Sequence, residues 1–92
     1  MRSRFSAFAV GNVDYLLASW HPSTRPTTLE LDAELRWYRL DILDRVGGGP
    51  LEPRGVVEFE AFWRSRDSRG SQRERSNFVR ESGRWFYLDG VG

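Results

Sequence analysis

The chain predicts an α+β fold in which two or three N-terminal helices lie across a curved, four-stranded antiparallel sheet. Two observations carry this expectation. Apolar residues recur at helical spacing as far as Trp20 and alternate with period two from Trp37 onward. Clusters of Gly, Pro and Ser then cut the second half into four runs of strand length. A chain of 92 residues buries too little surface for two cores, so residues 1–92 are expected to form one domain.

Residues 2–10 read as a first helix with Phe5, Phe8 and Ala9 on one face, closed by Gly11 in the left-handed C-terminal position. Asn12 caps a second helix, in which Val13, Leu16, Leu17 and Trp20 fall at i, i+3, i+4 and i+7. Asp14 suits the positive helix end, and Pro22 stops continuation. Thr27 followed three residues later by Glu30 matches a capping box, so a short third helix is expected over 28–34, although Leu29 and Leu31 also alternate as in a strand.

From Trp37 the pattern places Tyr38, Leu40 and Ile42 on one sheet face and Arg39 and Asp41 on the other. Gly47, Gly48, Gly49 and Pro50 end this strand. The second strand, Arg54 to Arg64, turns Val57, Phe59, Ala61 and Trp63 toward the core and Val56, Glu58, Glu60 and Phe62 away from it. A polar turn over 65–71 leads to a third strand over 72–81 with Glu74, Ser76 and Phe78 in phase. Ser82 and Gly83 then lead to a fourth over 84–88, with Trp85 and Tyr87 opposite Phe86 and Leu88. Short turns between neighbours make the sheet a meander. Apolar rings on both faces predict that Phe62, Phe86 and Leu88 form an outer patch for self-association into a homodimer.

Aromatic residues make up 14% of the chain, including four Trp and six Phe, and large rings supply much of the burial that so short a chain needs. Fourteen basic and thirteen acidic residues leave a net charge of +1, which provides no global field for nucleic acid or anionic lipid. Every basic residue is Arg, which reads as a codon-usage bias. The Arg/Ser run from Arg64 to Arg73 reads as a hairpin turn interrupted by Asp67, and nucleic acid is not an expected partner. Without Cys there is neither a disulfide nor a thiolate metal site, and no metal or cofactor is expected. The basic, apolar start imitates a signal peptide, but Asn12 and Asp14 interrupt it early. No segment approaches the length of a membrane span, so the expected location is the cytoplasm. Gly47 to Gly49 lacks the Lys-Ser/Thr and helix of a phosphate loop and reads as a plain turn.

Glu74 lies between Arg73 and Arg75 yet in phase with Ser76 and Phe78, which aims it at a concavity of rings. A carboxylate there would serve either as an acid or base or as a structural partner for an arginine. His21, the only His, stands beside Trp20 at the rim. The candidate ligand-binding set is Trp20, His21, Trp37, Phe59, Glu74, Ser76, Trp85 and Tyr87, with Glu74 and His21 as the only catalytic candidates. A noncatalytic domain holding a small molecule or peptide is the first reading. The alternative is an acid/base enzyme acting through Glu74 on a small apolar substrate. An open cleft with an unpaired Glu74 favours catalysis, and a ring-filled cone or an Arg-bound Glu74 opposes it.

Several segments in this order, among them Arg2-Ser3-Arg4-Phe5, Trp20-His21-Pro22-Ser23-Thr24, Glu74-Arg75-Ser76-Asn77-Phe78 and Gly83-Arg84-Trp85-Phe86-Tyr87, make the chain resemble the central domain of the YchJ family. The resemblance implies a nuclear transport factor 2-like cone and no known activity. It also implies that longer members carry Cys-rich SEC-C zinc motifs, which this Cys-free chain lacks, and that Arg73 stands where many relatives have His.

Overall fold

The computed structural model describes residues 1–91. Helix α1 spans Arg2–Val10 and α2 spans Val13–Ala18. The reversal between them is set by Gly11, whose left-handed φ of 73° lets its N–H reach back to the carbonyls of Ala7 and Phe8 without the Cβ penalty that other residues meet there. Asn12 caps α2 by accepting a hydrogen bond from the Tyr15 N–H at 3.1 Å. The α1 face is turned slightly from the expected one. Arg4 and Ala7 are its buried residues, Phe5 and Phe8 are half-buried, and Ala9 is exposed.

No third helix forms over 28–34, where the chain runs without regular structure to a turn at Ala33 and Glu34. Instead Asp32 organises a local turn, accepting from the Glu34 N–H through its side chain and from the Leu35 N–H through its carbonyl. Leu29 is left to fold into the concavity.

Four strands follow: β1 Arg36–Gly47, β2 Arg54–Arg64, β3 Arg69–Glu81 and β4 Arg84–Val91. They form one antiparallel sheet in the order β1-β2-β3-β4, the expected meander. The β2–β3 turn is tighter than expected: Ser65 and Ser68 close it, and pairing resumes at Arg64 with Arg69. Register sets the faces. Phe59 pairs with Glu74, Val57 with Ser76, and Phe78 with both Gly55 and Tyr87, so these residues share the side that meets the helices. Leu16, Ala7, Phe59, Ala61 and Phe78 are the buried apolar core.

Irregularities in β1, one between Trp37 and Arg39 and one between Ile42 and Asp44, correct the simple alternation. Trp37, Leu40 and Ile42 pair with the inward Trp63, Ala61 and Phe59. Tyr38 instead lies against Phe62 of the outer face, with ring centroids 6.5 Å apart. A bulge inserts one residue and so reverses the phase beyond it.

The outer face is crossed by polar residues of β2 and β3. Glu58 accepts from Arg73 and Arg75, and Ser71 donates to Glu60. Phe62 lies under the Arg39 guanidinium, and Phe86 lies against His21 and Arg84. The expected apolar patch of Phe62, Phe86 and Leu88 is therefore divided by charge, and Leu88 falls in the β4 irregularity opposite Asn77 and Phe78. Among the described residues no helix is long and apolar enough to cross a membrane.

Candidate functional site

The site is built where α1 lies over the inward face of the sheet and a strap after α2 meets its edge. The strap pairs with the free side of β4: Tyr87 donates its N–H to the Ser19 carbonyl at 2.8 Å, and His21 donates its N–H to the Tyr87 carbonyl at 2.7 Å. Side chains alternate along such an extended pairing. Trp20 therefore turns inward, packing edge-on against Tyr87 with centroids 4.9 Å apart. His21 turns outward against Phe86 at 5.9 Å. Its Nδ1 accepts from the Ser23 N–H and its Nε2 pairs with Glu81, which fixes Nε2 as the protonated nitrogen.

The concavity is an apolar cleft of about 230 Å³. Trp20, Trp37, Phe59, Glu74 and Tyr87 all line it, so five of the eight sequence candidates converge. Ser76 is fully buried behind them and donates its hydroxyl to Glu74 Oε2 at 2.7 Å; it orients the carboxylate and does not line the cleft. Trp85 lines a neighbouring, more polar cleft, and His21 lines neither.

Glu74 forms no ion pair among the described residues. Arg73 and Arg75, its neighbours in sequence, both turn to Glu58 on the outer face, as strand alternation requires. The Glu74 carboxylate also packs against the backbone of Gly90, where a Cβ would collide with it. Ser76 and Gly90 are directly paired across β3 and β4, so the carboxylate rests in a notch made by a small residue on each strand.

Arg4 is the residue that sequence reasoning missed. It is 4% exposed, and its Nη1 donates to the Leu16 carbonyl at 3.0 Å and to Ser19 Oγ at 2.6 Å. Its guanidinium lies over Tyr87 at 4.5 Å and over Trp20 at 5.4 Å, where the ring faces attract a cation. Burial pushes its pKa down from the usual arginine value, while Tyr87, Tyr15 and Glu74 act in the opposite sense. Burial, with the Glu74 charge next in size, pushes Tyr87 up to about 12, so its phenol keeps its proton at neutral pH. Arg4 was readable in principle: Met1, Arg4, Phe5 and Phe8 recur at i, i+3, i+4 and i+7, and all four line the cleft. A charged member on an apolar stripe is the signal, and pairing with rings is how its burial is tolerated.

The arrangement offers a ring-walled pocket with one carboxylate and several proton donors. The buried Trp20 Nε1 is without an acceptor, and the Arg4 Nε and Nη2 have none among the described residues. Such a set suits a small ligand with an apolar body and a polar end.

Comparison with known proteins places the chain. Residues 1–90 match the family model for YchJ, middle NTF2-like domain. A UPF0225 protein of Corynebacterium glutamicum is 52% identical over 90 residues, covering 98% of this chain and 71% of that protein. One from Streptomyces coelicolor is 48% identical, covering 98% and 69%. The solution structure of a SEC-C motif containing protein from Rhodopseudomonas palustris superposes with a TM-score of 0.83 at 31% identity, over all of this chain and 74% of that one. The crystal structure of a SEC-C motif containing protein from Psychrobacter arcticus gives a TM-score of 0.75 at 25% identity, over 97% and 56%. With the family model matched almost end to end and relatives near half identity, the chain belongs to the YchJ family.

Proposed function

We propose that the domain binds a small, largely apolar molecule in the cleft beneath α1, with Glu74 accepting a hydrogen bond from the ligand's polar end. The observation that carries this reading is the state of Glu74: oriented by Ser76, free of any ion pair among the described residues, and set in a cleft walled by rings. A carboxylate with open acceptor sites in such surroundings gains most from a partner the ligand brings. The volume of about 230 Å³ lies below the ~300–1,000 Å³ usual for drug-sized ligands, which favours a small molecule over a peptide.

The unpaired carboxylate also supports a second reading, in which Glu74 takes a proton from the bound molecule while Tyr87 donates a hydrogen bond to it. Binding is the primary reading because the only His points to the other side of the strap. The cleft wall then offers one carboxylate and no imidazole, which is a hydrogen-bonding group without a paired acid.

A small-molecule screen by thermal shift tests the proposal with Glu74→Gln as control. Ligands that bind as proposed raise the melting temperature of the wild-type chain and raise that of Glu74→Gln by clearly less, since ligand stabilisation follows affinity. Equal shifts in both proteins would remove Glu74 from the site. Turnover of a bound ligand that Glu74→Gln abolishes would establish the second reading.

A further inference from the structure

We propose that the second cleft, which shares Arg4 with the apolar one, binds the oxyanion group of a small phosphorylated or carboxylated molecule. This cleft holds about 530 Å³ and is lined by Arg2, Arg4 and Arg45, with no Asp or Glu in its walls. The chain carries only one net positive charge overall, so three guanidinium groups without a carboxylate are a local excess. None of the three takes part in an ion pair among the described residues, whereas Arg39, Arg73 and Arg75 all do. Glu52 belongs to the adjoining β1–β2 turn, where its carboxylate packs against Gly47 and Gly49.

The three charges converge. Arg2, Arg4 and Arg45 line the same cleft as Met1, and the Met1 amino group, held below its ordinary value first by burial, also feels all three charges. Arg4 adds a built element: a buried guanidinium fixed through Nη1 to Leu16 and Ser19, leaving Nε and Nη2 without an acceptor among the described residues. That edge is the pair of parallel donors that a carboxylate or phosphate accepts bidentately. Trp85 and Tyr87 on the same wall offer ring surface to the organic part of the ligand. Arg4 lines both clefts, and the ligand contact proposed at Glu74 leaves its Nε and Nη2 edge free for the anion.

The test is a titration of the full chain at low ionic strength with inorganic phosphate, phenyl phosphate and benzoate, followed by amide and indole NMR shifts. Saturable binding of at least one is expected, weakening as sodium chloride is added. Phenyl phosphate against benzoate distinguishes a phosphate from a carboxylate ligand, and phenyl phosphate against inorganic phosphate reports the ring contact. Substituting Arg4 would disturb the fold, so the variants are Arg2→Ala and Arg45→Ala, both at exposed positions. Each is expected to weaken binding about tenfold, as loss of a charge-assisted hydrogen bond does, with an unchanged melting temperature. No saturable binding of any of the three anions, or undiminished binding in the Arg2→Ala/Arg45→Ala double variant, would overturn the proposal.

Discussion

Glu74 was legible as a candidate because its phase with Ser76 and Phe78 separates it from the two arginines beside it. What the sequence did not reveal is the notch that holds it, because the pairing of Ser76 with Gly90 depends on the irregularity between Asn77 and Phe78. Gly90→Ala is expected to push the carboxylate from its place at Ser76. Overpacking of this kind costs ~1–3 kcal/mol, to be read by denaturant unfolding, together with weaker ligand-induced stabilisation. Arg4 escaped notice because a guanidinium is ordinarily counted as surface, and only the placement of Trp20 and Tyr87 around it explains its burial. Tyr87 gives the pH-dependent signature of the same cluster. Its folded pKa of about 12 lies above the ordinary 10.0, so the folded chain holds this proton more tightly than the unfolded one. The stability it contributes is whole below pH 10 and is lost as pH rises from about 10 to about 12. Tyrosinate absorbance should show a late-titrating phenol that Tyr87→Phe removes, with a smaller loss of stability across that window.

Helices and strands were readable wherever a local rule acted alone. Gly11, Asn12 and the alternation in β2 and β3 all depend on nearest neighbours, and the elements they predict are present. Tertiary constraint decided the rest. The capping-box pattern at Thr27 and Glu30 yielded to an extended path that brings Leu29 into the cleft. The irregularities in β1, which place Tyr38 outside, leave no mark in composition. Strap pairing beside β4 was equally invisible, and it alone puts Trp20 and His21 on opposite sides. At this scale Asn12→Ala is expected to destabilise the chain by about 1 kcal/mol through loss of the cap to Tyr15. For a domain of this size that lowers the melting temperature by roughly 4–8 °C, measurable by circular dichroism, and it should leave ligand affinity in the cleft unchanged.

Over the whole molecule, the meander places the small residues Ser76 and Gly90 on the strands opposite the helices, and α1 with the strap closes the remaining side with rings. The result is two clefts that meet at Arg4 and Tyr87, one walled mainly by apolar groups and one of mixed walls that carries three arginines. The same sheet directs Arg73, Arg75 and Glu58 to the outer face, which keeps their charges away from Glu74. Separation of charge between faces is thus what leaves a carboxylate available inside. The central claim is that this inner cleft receives a ligand at Glu74. It is tested most directly by the indole N–H resonances of Trp20 and Trp37, recorded while a ligand from the thermal-shift screen is titrated into wild-type and Glu74→Gln protein. The account predicts saturable shifts of both indoles in the wild type, with clearly weaker affinity in Glu74→Gln. Shifts confined to residues of the outer face, or identical titrations in the two proteins, would contradict it.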